Sequence, residues 1–177
     1  MTTDPVLAAR LRQCAVRDQE LAKVPGKTAE DVDRWMRVAA ENERFLWDVL
    51  HDRGWPGHTL VGEQGSADAM LVVQHASQDR KLQRFALGCL IEAVDAGDAD
   101  AAHVAYLTDR IHLHARVPLR YGTQYERNEH GQYRLLPVED PETLDERRAR
   151  MGLEPLDVFE RRLREVSGRA DVLEERS

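Results

Sequence analysis

The chain has 177 residues, of which 42% are hydrophobic and 32% charged, and carries a formal net charge of -7. That length favours a single domain with a real hydrophobic core. The acidic balance excludes the basic face that a nucleic-acid binder needs, because its arginines are interleaved with acids, as in Asp145–Arg150 and Glu160–Glu165.

In chain order, the N-terminal MTTDPVLAARLRQ lacks the basic and apolar regions of a signal peptide. Asp4-Pro5 is a helix start, since Asp caps and Pro fits the first turn. Leu7, Leu11, Cys14 and Leu21 then keep helical spacing up to the Pro25-Gly26 break. Thr28-Ala-Glu-Asp31 resembles a capping box. Behind it Val32, Trp35, Met36, Ala39, Leu46 and Leu50 mark one face of a long helix that Gly54 ends. Both helices read as structural.

Gly54–Gly65 reads as a glycine-rich loop without the Gly-Lys-Ser/Thr ending of a phosphate loop. A helix is expected from about Ser66 to Ser77, with Met70, Leu71, Val72 and Val73 pointing all round it, the pattern of a buried helix. Asp79 caps the next helix, which is striped by Leu82, Phe85, Ala86, Cys89, Leu90 and Val94 and closed by Gly97. A fifth helix, from about Asp100 to Arg116, carries two stripes: Val104, Leu107 and Ile111 on one side, Tyr106, Asp109 and Leu113 on the other. Two stripes predict a helix between layers.

Tyr121–Arg127 and Gln132–Leu136 then read as strands of a hairpin joined through Asn128–Gly131. Asp140-Pro141 starts a short helix that stops near Gly152, and Pro155 opens a last one with Leu156, Phe159 and Leu163 on one side. The fold class is therefore mainly α: one compact helical domain over 1–168, about six or seven helices with a small β-hairpin near residues 121–136, and a frayed tail at 169–177. No apolar run nears the ~18 residues that a membrane span needs. The two cysteines, Cys14 and Cys89, form no C-x-x-C pair and sit at apolar helical positions. They read as buried hydrophobes in a reducing compartment, so a cytoplasmic location is expected.

The chemistry concentrates between Glu63 and Gln124. At 100° per residue Gln74 falls in the middle of the Ala67, Met70 and Leu71 face, and His75 lies on its edge. An unpaired buried amide costs about 1–3 kcal/mol, so Gln74 needs partners. His75 is a general acid or base near neutral pH; the plainer alternative is that both side chains only satisfy backbone groups nearby. Glu63 is the nearest upstream carboxylate, either a partner for His75 or a charge at the helix start. Asp109 reads as partly buried and paired, orienting His75 or holding Arg110 or Arg120. Arg110 suits a carboxylate or phosphate. Tyr121 and Gln124 begin the hairpin and either recognise a ligand or form a covered edge. His112 and His114 lie about 200° apart on a helix, which disfavours a chelate, so no metal site and no cofactor is expected. No serine stands in a nucleophile-elbow pattern.

The order of short motifs resembles an uncharacterised bacterial family common in actinobacteria. The matching pieces are Gly54-Trp-Pro56, Val61-Gly-Glu63, Gln74-His-Ala76, Tyr106-Leu-Thr-Asp-Arg110, Tyr121-Gly-Thr-Gln124, Glu139-Asp-Pro141 and Asp145-Glu-Arg-Arg148 leading to Gly152-Leu153. The resemblance covers about residues 54–156 and implies a shared fold and site, with recurring polar positions at Glu63, Gln74, His75, Asp109, Arg110 and Gln124. The chain departs from the family where Gln-His-Ala usually continues with Asp: it has Ser77, with Asp79 two residues on, and it has Met70 where an aromatic is frequent.

The leading expectation is a cofactor-independent acid/base enzyme acting on a small polar molecule by hydrolysis, elimination or cyclisation. His75 would be the acid/base, Glu63 or Asp109 its carboxylate, and Gln74, Arg110, Tyr121 and Gln124 the substrate holders. The alternatives are a non-catalytic cytosolic binding or immunity-like regulatory protein, and a metal-dependent hydrolase in which His75 joins two carboxylates. Nothing in the chain specifies an oligomeric state.

Overall fold

The computed structural model describes residues 4–22, 28–127 and 132–167. The fold is mainly α, with seven α-helices and one antiparallel hairpin among the described residues. The chain divides into two compact units, Met1–His103 and Val104–Ser177.

The first unit holds α1 (Pro5–Ala22), α2 (Ala29–Arg53), α3 (His58–His75) and α4 (Arg80–Asp95). Their ends are set by the chemistry legible in the sequence. Asp4 Oδ1 accepts from the Leu7 amide at 3.0 Å. Thr28 and Asp31 form a full capping box, and Asp79 accepts from the Lys81 and Leu82 amides. α1 packs against α3 and α2, and α4 against α2 and α3. Leu11, Cys14, Leu46, Val73, Leu82 and Leu90 are almost fully buried between them; each such side chain contributes roughly 1.5–3 kcal/mol of transfer free energy.

α3 departs from expectation. It begins at His58, so Gly54–Gly65 is largely helical rather than a loop, and Glu63 lies within the helix rather than before it. Glycine costs about 1 kcal/mol in a helix, which is why the sequence reads as a loop. Packing overrides that preference. Gly62 takes a left-handed φ of 75° at a kink, which only glycine adopts cheaply. A Cβ on Gly65 would lie 2.7 Å from Val61 Cβ, so its bareness serves the kinked turn of α3 itself; towards Ala8 of α1, at 3.6 Å, it would only make ordinary contact. The Trp55 indole donates to the buried Ser66 hydroxyl at 2.9 Å and ties the entering chain to the helix.

α2 shows a second departure. Leu46 and Leu50 are buried as the stripe requires, but Val32 and Met36 at its start are 38% and 57% exposed. Trp35 and Ala39 on the same face are half-buried, so the face is only partly covered over its N-terminal half.

The second unit holds most of α5 (Ala101–Ala115), then β1 (Tyr125–Arg127), β2 (Tyr133–Leu135), a single 3-10 turn (Pro141–Thr143), α6 (Leu144–Arg150) and α7 (Leu156–Ser167). The strands pair with Tyr125 opposite Leu135 and Arg127 opposite Tyr133. Tyr121–Gln124, expected in the first strand, is irregular chain, because its amides are taken by a side chain before any strand can use them. On α5 Val104, Leu107 and Asp109 are buried, while Tyr106, Ile111 and Leu113 are half-buried. The expected hairpin connection at 128–131, the Pro25-Gly26 break and the tail at 169–177 lie outside the described residues.

Both cysteines are free; Cys14 is buried and Cys89 half-buried. Burial pushes both thiols up, which makes them less reactive. No helix among the described residues is long and apolar enough to cross a membrane.

Candidate functional site

Asp18, on α1, is only 4% exposed. A buried carboxylate is costly unless paired, and this one bonds the Nδ1 atom of His75, the last residue of α3. The imidazole is thereby held by one nitrogen. Its Nε2 makes no hydrogen bond within the described residues, and the ring lines a cleft of about 220 Å³ with Trp35, Met36, Ala39, Ala40 and Glu43 of α2. Asp18, Asn42, Glu43 and His75 also line an adjoining notch. A carboxylate on Nδ1 and a bare Nε2 are the arrangement that orients an imidazole for proton transfer.

Glu43 has a perturbed carboxyl. Burial pushes its pKa up, and the like charge of Asp79 adds to the shift. Asp79 stays charged: burial works to raise it, but the Leu82 amide, the Trp47 indole at 2.7 Å and the Lys81 amide together hold it below its ordinary value. The folded chain therefore keeps the Glu43 proton to higher pH than the unfolded chain does. The corresponding stability is complete below the ordinary glutamate value of 4.5 and is lost as pH rises through the raised one. Glu43→Gln is expected to flatten the decline in Tm as pH rises above the ordinary value of 4.5, read by thermal melts at several pH values. A parallel curve for the variant would show that Glu43 is not shifted.

The other expected site residues fall into two groups. In the first unit Glu63 is exposed on α3, and its side chain makes no hydrogen bond or ion pair among the described residues. Gln74 is half-buried, and the amide that satisfies the end of α3 is instead Gln83, fully buried, whose Nε2 donates to the carbonyls of Val73 (3.2 Å) and Gln74 (3.4 Å).

In the second unit Asp109, Tyr121 and Gln124 come together with two arginines. Asp109 is 0% exposed. Its oxygens accept from the amides of Arg120 (2.8 Å), Tyr121 (3.0 Å) and Thr123 (2.8 Å) and from the Thr123 hydroxyl (2.9 Å). The carbonyls of the same segment are taken from the opposite side. Arg148, 1% exposed, donates to Tyr121 O at 2.7 Å and Gly122 O at 3.3 Å, and Arg147 donates to Arg120 O at 2.8 Å. Buried Gln124 donates to the Thr123 hydroxyl at 3.3 Å, and its carbonyl accepts from Leu136 N at 3.3 Å. Here polar residues hold backbone rather than ligand. Arg110 is half-buried, with its Nε buried and unpartnered, and burial lowers its guanidinium pKa. The unit also contains a cavity of about 350 Å³ lined mostly by apolar residues, among them Leu113, Val117, Leu119 and Leu136, with Arg116 its one charged wall residue.

Of the expected site residues, His75 therefore has its carboxylate, but in Asp18 rather than Glu63 or Asp109. Asp18, Asn42 and Glu43, from the two helices that read as structural, are what the sequence reading missed. A signal for two of them was present. Asp18 stands in the Leu11, Cys14, Asp18, Leu21 series and Asn42 in the Ala39, Asn42, Leu46, Val49 series, each a polar residue at an apolar helical position. His112 and His114 lie on α5 as expected, with His112 Nδ1 bonded to Pro118 O at 2.8 Å. No group of three or more His, Cys, Asp or Glu side chains among the described residues is placed to hold a metal ion.

Compared with known proteins, residues 5–170 match the model of a family described as "Family of unknown function (DUF6624)". No curated protein and no solved structure matches the chain.

Proposed function

This chain belongs to DUF6624, a family of unknown function, and we propose from its own residues that its first unit carries an acid–base site for a small molecule. One observation carries the reading: buried Asp18 holds His75 by Nδ1 and leaves Nε2 unbonded among the described residues, on a side chain that lines a cleft. With Nδ1–H directed at Asp18, the neutral ring has its lone pair on Nε2. That nitrogen takes a proton from substrate or water, and Asp18 stabilises the imidazolium that forms. Glu43, which keeps its proton above the ordinary range, is placed on the same cleft to return one. Hydrolysis, elimination or cyclisation all fit this division of labour.

The test uses p-nitrophenyl acetate, an activated ester that reports a competent imidazole without knowledge of the natural substrate. The wild type is expected to hydrolyse it on the order of 10²-fold faster than His75→Gln, the range of a positioned general base. Equal rates for two equally folded proteins would remove the base from the proposal.

The rival reading, a non-catalytic binding or immunity-like regulatory protein, draws on the exposed Val32 and Met36 of α2. Under it a partner covers these residues, and His75→Gln changes nothing unless it unfolds the chain.

A further inference from the structure

Asn42 lies in the apolar stripe of α2, 3% exposed, and its Nδ2 is buried without a hydrogen-bond partner. Such a donor destabilises the fold, and its retention needs a reason. Its place supplies one. Asn42 lines the notch of about 10 Å³ together with Asp18, Glu43 and His75, with room for about one polar atom. The larger cleft shares Ala39, Glu43 and His75 with that notch, and its remaining walls include Trp35, Met36 and Ala40. A ligand in the cleft therefore has one polar position to fill, beside Asn42, and an apolar surface for the rest of itself.

The chemistry of that position is restricted twice. Nδ2 is a donor, so the atom it meets is an acceptor oxygen. The surroundings are acidic even with Glu43 protonated: Asp18 lines the notch, and charged Asp79 is close enough to act on Glu43. A carboxylate or phosphate would be repelled, whereas a neutral carbonyl oxygen is not. We propose that this site takes a neutral carbonyl compound, an amide or ester, with its carbonyl oxygen on Asn42 Nδ2 and its apolar part on Trp35, Met36 and Ala40. The proposal rests on the acid–base reading of His75 and names the substrate class for it. Asn42 is then the group that polarises the carbonyl, through a donor that no group among the described residues occupies.

Benzamide and benzoate share one ring and differ in charge, so they separate the two requirements. Each is titrated into wild type and Asn42→Leu, with the His75 ring and the Asn42 side-chain amide followed by NMR. Benzamide is expected to shift both groups in the wild type and to bind at least about ten-fold more tightly than benzoate. Asn42→Leu is expected to weaken benzamide about ten-fold while leaving Tm unchanged or a few degrees higher, because it removes an unpaired buried amide. If Asn42→Leu does not fold, Asn42→Asp keeps the shape, replaces the donor by an acceptor, and should show the same loss. Benzamide that shifts His75 but not Asn42, with unchanged affinity in the variants, overturns the carbonyl contact and leaves the acid–base site standing. Benzoate binding as tightly as benzamide overturns the preference for a neutral ligand. If neither compound moves His75, the cleft is not a ligand site and both readings fall.

Discussion

Asp109→Ala is expected to lower the stability of the chain by at least about 3 kcal/mol, read as a fall in the urea midpoint. Three backbone amides, those of Arg120, Tyr121 and Thr123, donate to this one buried carboxylate. Alanine leaves all three without an acceptor. Each orphaned buried donor costs about 1–3 kcal/mol, so even the lower bound sums to about 3. The carbonyls of the same segment offer no relief, since Arg147 and Arg148 already hold them. Asp109→Asn should fall between the two: one oxygen still accepts, but the new NH₂ faces amides that also donate. A loss below about 1 kcal/mol for Asp109→Ala would mean that the 120–123 segment finds other acceptors and that the carboxylate is not its anchor.

The second large effect is expected for Asp18→Asn, which should remove most of the His75-dependent hydrolysis of p-nitrophenyl acetate, again on the order of 10²-fold. The substitution keeps the side chain's shape. What it changes is the partner at Nδ1, because the amide can present an NH₂ where the carboxylate could only accept. The neutral ring then favours the tautomer protonated on Nε2, and a protonated Nε2 is no base. Nitrogen NMR of the His75 ring reads the tautomer directly. Wild-type rates together with an unchanged tautomer would show that Asp18 only packs against His75.

These two carboxylates show how differently the sequence disclosed its polar residues. Asp109 was legible as a buried group needing partners, since it interrupts a second apolar stripe on its helix. Its partners were not legible, because they are backbone amides 11 to 14 residues away, fixed by the turn after α5. Asp18 carries the same kind of signal, between Cys14 and Leu21, on a helix whose stripe otherwise reads as structural. His75 was singled out from its position at the edge of an apolar face. The carboxylates that the sequence offers it are Glu63, near in sequence, and Asp109, on a motif. The actual partner is 57 residues away on α1.

The resemblance motifs divide in the same way. Asp109, Tyr121–Gln124 and Arg147-Arg148 turn out to make one polar clamp on a stretch of backbone in the second unit. Of Gln74-His75, only His75 is on the wall of the cleft of the first unit. Motifs grouped by sequence order thus serve two physical purposes, one of them structural.

What the sequence by itself determined is local: the helical class, the caps at Asp4, Thr28 and Asp79, the buried character of α3, and the hairpin. Caps act over three residues and apolar periodicity over four, so a single chain displays them in full. Only the tertiary structure decided the rest. It turned most of Gly54–Gly65 into a kinked helix from His58 on, because the packing of α3 against α1 outweighs the propensity cost of glycine. It left Val32 and Met36 of α2 uncovered beside the cleft. It set Asp18, Asn42 and Glu43 around His75, because a buried carboxylate must find its partner across helices, and no spacing along one helix can say which partner that is.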